Sequence, residues 1–188
     1  KGFNMKLGVS ACLIGTPCRY DGVSSSDKFV IDTLQKYFDM VAYCPETMIW
    51  GSPRTAVRQV QTESGDLRIL TSTKNPIDVT EELEEISLSC ANKIKNDDLC
   101  GFILKSSSPT CGLERVKVYK PFNAPSVKQG VGVFAKQIKE KYPYLPVEEE
   151  GRLIDAWLRE NFLMQIFAYE DVHNFLKSNP TLNDLVIF

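Results

Sequence analysis

Three short apolar runs, residues 6–10 (KLGVS), 40–43 (MVAY) and 101–105 (GFILK), each lead into a loop that carries a cysteine. Between the first two, residues 27–37 (DKFVIDTLQKY) place apolar side chains at 29, 30, 31, 34 and 37, near helical spacing, with Ser26 or Asp27 as the cap. Strand, loop, helix and strand in that order open a parallel α/β sheet, because parallel neighbours need a crossover and a helix supplies it. The chain is thereby constrained to an α/β fold with a doubly wound, Rossmann-like, mostly parallel sheet.

The remaining segments extend this plan. Residues 57–62 and 67–71 alternate on either side of ESGD and read as a hairpin inserted in the fold and projecting from the sheet. Residues 80–96 read as an acidic helix capped by Thr80, with Leu83 three positions on and Glu81, Glu82 and Glu84 around it. Residues 115–119 read as a further strand, 129–141 as a helix and 145–147 as a last short strand. From Gly151 the run GRLIDAWLRENFLMQIFAYEDVHNFLKSNP is apolar at 154, 157, 158, 162, 163, 166 and 167, a helical pattern. The expected division is therefore an α/β domain over 5–150, then over 151–188 a linker and the first helices of a truncated helical domain, ending inside the apolar-periodic TLNDLVIF. Met5 reads as the natural start, with residues 1–4 an appendage.

A charged share of 24%, an apolar share of 43% and a formal net charge of -2 are those of a soluble globular protein without an overall basic field, so any nucleic-acid contact is local. No apolar stretch approaches the roughly 18 residues of a membrane span, and no signal-peptide core opens the chain. The expectation is a cytoplasmic protein without membrane contact, monomeric or homodimeric. In a reducing compartment the six cysteines (Cys12, Cys18, Cys44, Cys90, Cys100, Cys111) read as metal-binding, catalytic or simply buried rather than as three disulfides.

In open α/β sheets ligands collect at the carboxyl ends of the strands. Cys12, Cys44 and Cys111 follow the three strands named above, while Cys90 and Cys100 lie in or just after a helix and so at the opposite end. Three thiolates with no fourth protein ligand suit zinc with an open position or a [4Fe–4S] cluster with one iron free. Glu46, in Cys44-Pro45-Glu46, is placed to serve as general acid or base. Ser106, Ser107 and Ser108 before Pro109 offer hydroxyls to an anion or substrate heteroatom, or form a plain turn. Arg19 suits an anionic or carbonyl group with Asp21 holding it, or a surface ion pair in a turn. Arg54 and Arg58 lie near the same rim, for phosphate or carbonyl contact or for solvent. Cys18 sits in a mobile-looking loop as a redox-active or structural thiol, or as a fourth ligand. The only histidine, His173, is far along the C-terminal helix, which leaves no histidine for a Ser–His or Cys–His nucleophile.

Taken in order and spacing, SACLIGTPCRYDG, VAYCPE, GSPR, DVT and KSSSPTCGLERVKVY resemble the thiouracil desulfidase family, formerly a domain of unknown function, over about residues 5 to 150. The tail from GVGVFAKQ to FLMQIFAY resembles the longer members with a YbgA-type C-terminal helical domain, which look like desulfidases of 4-thiouridine in transfer RNA. The resemblance implies a [4Fe–4S] cluster on Cys12, Cys44 and Cys111, whose free iron acts as Lewis acid and sulfur acceptor while water replaces sulfur at the ring carbon. It implies proton transfer and substrate contact at Glu46 and Ser108, with Ser107, Arg19, Asp21 and Arg54 around a thiolated pyrimidine. It also implies transfer RNA as a partner through the missing helical domain. Thr110 stands where the family motif usually has serine, and keeps the hydroxyl. The competing readings are a nucleic-acid-binding module with structural zinc, using Cys18 as fourth ligand, and an interaction scaffold with buried thiols.

Overall fold

A computed structural model describes residues 5–121 and 124–187; the expected appendage at residues 1–4 and the last residue of TLNDLVIF lie outside the described residues. In chain order the elements are β1 (Lys6–Ser10), α1 (Lys28–Asp32), β2 (Asp39–Tyr43), α2 (Pro45–Trp50), β3 (Val57–Gln61), β4 (Leu67–Thr71) and α3 (Thr80–Asp97). There follow β5 (Leu99–Leu104), β6 (Val116–Tyr119), β7 (Val127–Gly130), α4 (Val133–Lys141), β8 (Val147–Glu149), α5 (Ala156–Lys177) and α6 (Leu182–Ile187).

The main sheet has the order β2-β1-β5-β8 and is parallel throughout. Every residue of β5 is buried, as a central strand covered on both faces must be. On one face Val30 of α1, with Leu34 and Phe38 after it and Phe162 and Ile166 of α5, packs against Leu7, Val9 and Ile103. On the other, Cys90, Ala91 and Ile94 of α3 join Phe134, Ala135 and Ile138 of α4 over Phe102 and Leu104. The sheet is thus doubly wound and Rossmann-like. Helix α5 helps to cover it, and the division of the chain at residue 150 stays a proposal. Among the described residues no helix is long and apolar enough to cross a membrane.

Four local expectations are corrected. The hairpin does not project alone: β3 pairs with β6 in parallel, and with β7 they form a second sheet in the order β4-β3-β6-β7. Buried Gln59 fixes that sheet to the domain, donating from Nε2 to the carbonyls of Pro109 (3.1 Å) and Val131 (2.7 Å). The helix read over 129–141 begins at Val133, because Val127–Gly130 pairs with β6 and Gly132 packs where an added Cβ would lie 2.5 Å from the Thr110 carbonyl oxygen. Thr80 is not the cap of α3; its hydroxyl is spent on Asp78 (2.6 Å) and on the amide of Ile69 (2.8 Å), while the Asp78 carboxylate takes the Thr80 amide. The last strand starts at Val147 rather than Leu145, since Leu145 is in the core and Pro146 has no N–H to give a ladder.

Helix α1 keeps the expected cap, Asp27, which accepts from the Val30 amide at 3.0 Å. It ends at Asp32, with the Thr33 amide donating to the Phe29 carbonyl, and a 3-10 turn over Leu34–Lys36 completes the segment. Gly8 faces Phe102 across the β1–β5 ladder, and an added Cβ would lie 2.3 Å from that ring. Phe102 is itself held by Tyr43 and Phe134 at centroid distances of 5.2 and 5.7 Å, so it has nowhere to retreat. Gly8→Ala is expected to destabilise the fold by about 1–3 kcal/mol through overpacking, seen as a lower urea midpoint with unchanged slope.

Candidate active site

The carboxyl ends of β1, β2 and β5 meet at a cavity of about 340 Å³ whose wall carries the thiols of Cys12, Cys18, Cys44 and Cys111. Cys12 lies in a 3-10 turn directly after β1, closed by Gly15 at φ 92°. Its carbonyl accepts from the Ser25 amide at 2.9 Å, which folds the following loop back over the strand end. Cys44 precedes α2, with Pro45 in the first turn and Glu46 beside it, the start signals of a helix. Cys111 is set by the loop after β5: Ser108 Oγ accepts from the amides of Thr110 (3.2 Å) and Cys111 (3.0 Å). Gly112 closes that loop, its amide donating to the Ser108 carbonyl at 2.8 Å.

Cys18, read from the sequence as lying in a mobile-looking loop, is only 4% exposed and its loop is tied to distant residues. Its carbonyl accepts from Arg54 Nη1 at 2.7 Å and from Thr47 Oγ1 at 3.1 Å. Its thiol links those of Cys12 and Cys44, and its pKa is pushed up to about 11, first by the Cys12 thiol and then by burial, although the Cys44 thiol pulls it down. The Cys44 thiol is pushed far up by hydrogen bonding to Cys18 and by burial; it lies 2.9 Å from Thr47 Oγ1. Burial pushes Cys111 up as well, against hydrogen bonds to Ser10 and Ser108. Cys18, Cys44 and Cys111 therefore carry their protons at neutral pH, and a cation bound at Cys44 or Cys111 would have to displace them.

Glu46 is fixed at both oxygens. Oε2 accepts from Arg54 Nη2 (2.6 Å) and Nε (3.1 Å), and Oε1 accepts from Thr110 Oγ1 (2.5 Å). The Arg54 and Glu46 side chains are 6% and 13% exposed. With Nη1 on the Cys18 and Gly51 carbonyls, Arg54 is committed to organising the site.

Arg19 lines the cavity and pairs with Asp21 at 3.4 Å; Asp21 does not line it and also accepts from the Val23 amide at 3.3 Å. Ser107, exposed and at φ 59°, and Ser108 both line the cavity. Arg58 does not, since it stacks over Tyr119 at 5.0 Å on the far face of the second sheet. Cys100 is at the opposite end of the sheet, donating to the Lys6 carbonyl at 3.2 Å. Cys90, expected there too, lies instead behind Cys44, 3.3 Å from Met48 Sδ, because α3 runs back across the sheet from its carboxyl end. Among the described residues no three His, Cys, Asp or Glu side chains converge as ligands of one metal ion.

Sequence reasoning missed several supports of the site. Lys105 lines the cavity; its amide donates to Ser10 Oγ at 3.0 Å and its ammonium pairs with Glu150. Glu150 also accepts from Ser106 N (2.7 Å) and Ser106 Oγ (2.8 Å), holding the serine loop from the end of β8. A lysine at the end of an apolar strand was the available signal for Lys105, whereas the Glu150 contact depends on β8 lying beside β5. Removing Arg54 leaves Glu46 buried without a counter-charge, so Arg54→Ala is expected to cost about 3–5 kcal/mol in urea unfolding. Thr110→Val is expected to lose about 1.5–3 kcal/mol, and Thr110→Ser to stay near the parent.

A solved structure described as the [4Fe-4S]-dependent thiouracil desulfidase TudS (DUF523Vcz) matches with a TM-score of 0.60 and 26% identity, over 84% of this chain and 99% of that one. No curated protein matches significantly. The 2-thiouracil desulfurase family matches residues 7–150, which hold the four cavity thiols, Glu46 and the serine loop, and the chain belongs to that family.

Proposed function

We propose that this chain is a cytoplasmic desulfidase that replaces the sulfur of a thiolated uracil, or of 4-thiouridine in transfer RNA, by the oxygen of water and releases sulfide. The observation that carries the reading is the meeting of three thiols from three parallel strand ends with a paired carboxylate and a hydroxyl-bearing loop on one cavity. The similar TudS structure, described as dependent on a [4Fe-4S] cluster, adds the cofactor class. The donor set fits that group. Thiolates are its ligands, and Cys12, Cys44 and Cys111 stand on separate strand ends around the cavity.

In this reading Cys12, Cys44 and Cys111 hold the cluster, which when bound supplies an iron with an open position for sulfur. Glu46, kept in place by Arg54 and Thr110, takes a proton from the attacking water at Oε1. Ser108 Oγ already accepts from two amides, and its hydroxyl lies within hydrogen-bond reach of the Cys111 sulfur, so in this reading its proton serves the Cys111 thiolate or an acceptor on the substrate. Ser107 and Arg19 line the cavity where the substrate ring would enter, with Asp21 steadying Arg19. The balance is one thiocarbonyl and one water giving one carbonyl and one hydrogen sulfide, without net oxidation.

Anaerobic reconstitution with iron and sulfide tests the assignment. The parent is expected to bind about four irons and to release sulfide from 4-thiouracil or 4-thiouridine. Cys12→Ser, Cys44→Ser and Cys111→Ser each lose both properties, while Cys18→Ser and Cys100→Ser keep both. Zinc bound in place of iron, with no sulfide release, would contradict the reading. Glu46→Gln is expected to keep the iron and lose about 10²–10⁴-fold in kcat.

A further inference from the structure

The second sheet turns one face inward; on the other Lys117 and Lys128 are exposed and Arg58, Val60, Arg68, Leu70 and Tyr119 are half-buried, with Arg58 Nε buried and without a hydrogen-bond partner among the described residues. Val57, Gln59, Ile69, Val116 and Val118 are buried on the inner face. The register places Arg58 beside Leu70, Val60 beside both Arg68 and Tyr119, and Lys117 beside Lys128 on the outer face. Across all four strands there is no aspartate or glutamate. Arg68 has a loose partner, Asp78, at 3.9 Å. Among the described residues Arg58, Lys117 and Lys128 form no ion pair. Arg58 and Lys117 gather instead on the Tyr119 ring, at 5.0 and 4.9 Å from its centre. In a chain of net charge -2, Arg58, Lys117 and Lys128 are, among the described residues, a local group of cations without ion-pair partners, whereas Arg68 on the β4 edge has Asp78 and lies near Glu81 and Glu82.

We infer that this outer face is a docking surface for single-stranded RNA that carries the thiolated pyrimidine, an inference that rests on the desulfidase reading above. Charge complementarity selects a polyanion, because uncompensated cations gain most from phosphates and release their counterions. The guanidinium of Arg58 on Tyr119 selects nucleic acid among polyanions, since a plane of cation and aromatic ring is what an unstacked base lies against. The direction of the strands ties the face to the site. β3 and β6 run parallel and both start at the cavity side: Ala56 and Val57 line the cavity, and Cys111 lies five residues before β6. An RNA segment following these strands has one end beside the thiols.

The test uses the reconstituted holoenzyme, a fluorescent single-stranded oligouridine bearing one 4-thiouridine, and free 4-thiouracil. The variant is R58Q/K117Q/K128Q, with Tyr119→Leu as a second, uncharged change. The parent is expected to bind the oligonucleotide with a negative dependence on log salt. The triple variant should lose about two units of that slope, at roughly 0.7 per phosphate contact. Tyr119→Leu should weaken binding about tenfold with the slope unchanged. Both variants should keep the parent's turnover of free 4-thiouracil, which shows that they fold. Binding by the triple variant with the parent's affinity and slope would overturn the inference, as would no binding by the parent. Polyglutamate competing as well as RNA at equal charge would overturn it in favour of an acidic protein. The binding readout decides the surface whether or not sulfide is released. Turnover of free 4-thiouracil decides the desulfidase reading separately.

Discussion

The site depends on β1 pairing in parallel with β2 on one side and β5 on the other. That pairing brings Ser10 level with Tyr43 and Val9 level with Ile103, so the residues that follow all emerge at one edge. The register is held by the core rather than by the loops. Leu7 and Val9 fill one face while Gly8 yields the other to Phe102, and a slip of one residue would exchange the two. The topology also reverses here, with β2 to one side of β1 and β5 to the other, which opens a crevice at the strand ends. Packing of ordinary apolar side chains thus fixes where three cysteines stand.

Around this edge several polar groups are committed before any ligand arrives. Arg54 and Thr110 hold Glu46, Glu150 holds Lys105 and Ser106, and Ser108 holds the amides that lead to Cys111. Such preorganisation matters in a partly dry cavity, where a misplaced charge is costly and an oriented one effective. The thiols of Cys44 and Cys111 are the exception, since hydrogen bonding to Cys18 and burial hold the proton on Cys44, and burial holds it on Cys111. Ligation removes those protons, so occupancy of the cavity and the ionisation of its wall are one event.

Much of this arrangement was legible in the sequence. The runs at 6–10, 40–43 and 101–105 gave the strands, their order gave the parallel sheet, and strand-end placement alone brought Cys12, Cys44 and Cys111 together. Partners set by contacts between distant segments were not legible. Residues 115–119 look like any short strand, and only the buried Gln59 and the β3 ladder decide that they join the hairpin and not the main sheet. Cys18 looks mobile because its loop is rich in small residues, yet its carbonyl is gripped by Arg54 from thirty-six residues away. Arg54 and Arg58 look alike in GSPRTAVR, but strand alternation turns Arg58 to the far face. Thr110 differs from the usual family serine by one methyl group, and its hydroxyl is the part that Glu46 uses.

The most direct measurement is Mössbauer spectroscopy of the protein reconstituted with ⁵⁷Fe, recorded with and without 4-thiouracil. Three cysteine ligands leave one iron of a four-iron cluster without a protein donor. The account predicts that about one quarter of the iron signal shifts when the thiolated base is added, the rest staying in place. A spectrum in which every iron is unaffected by the base, or in which no four-iron species forms, would contradict it.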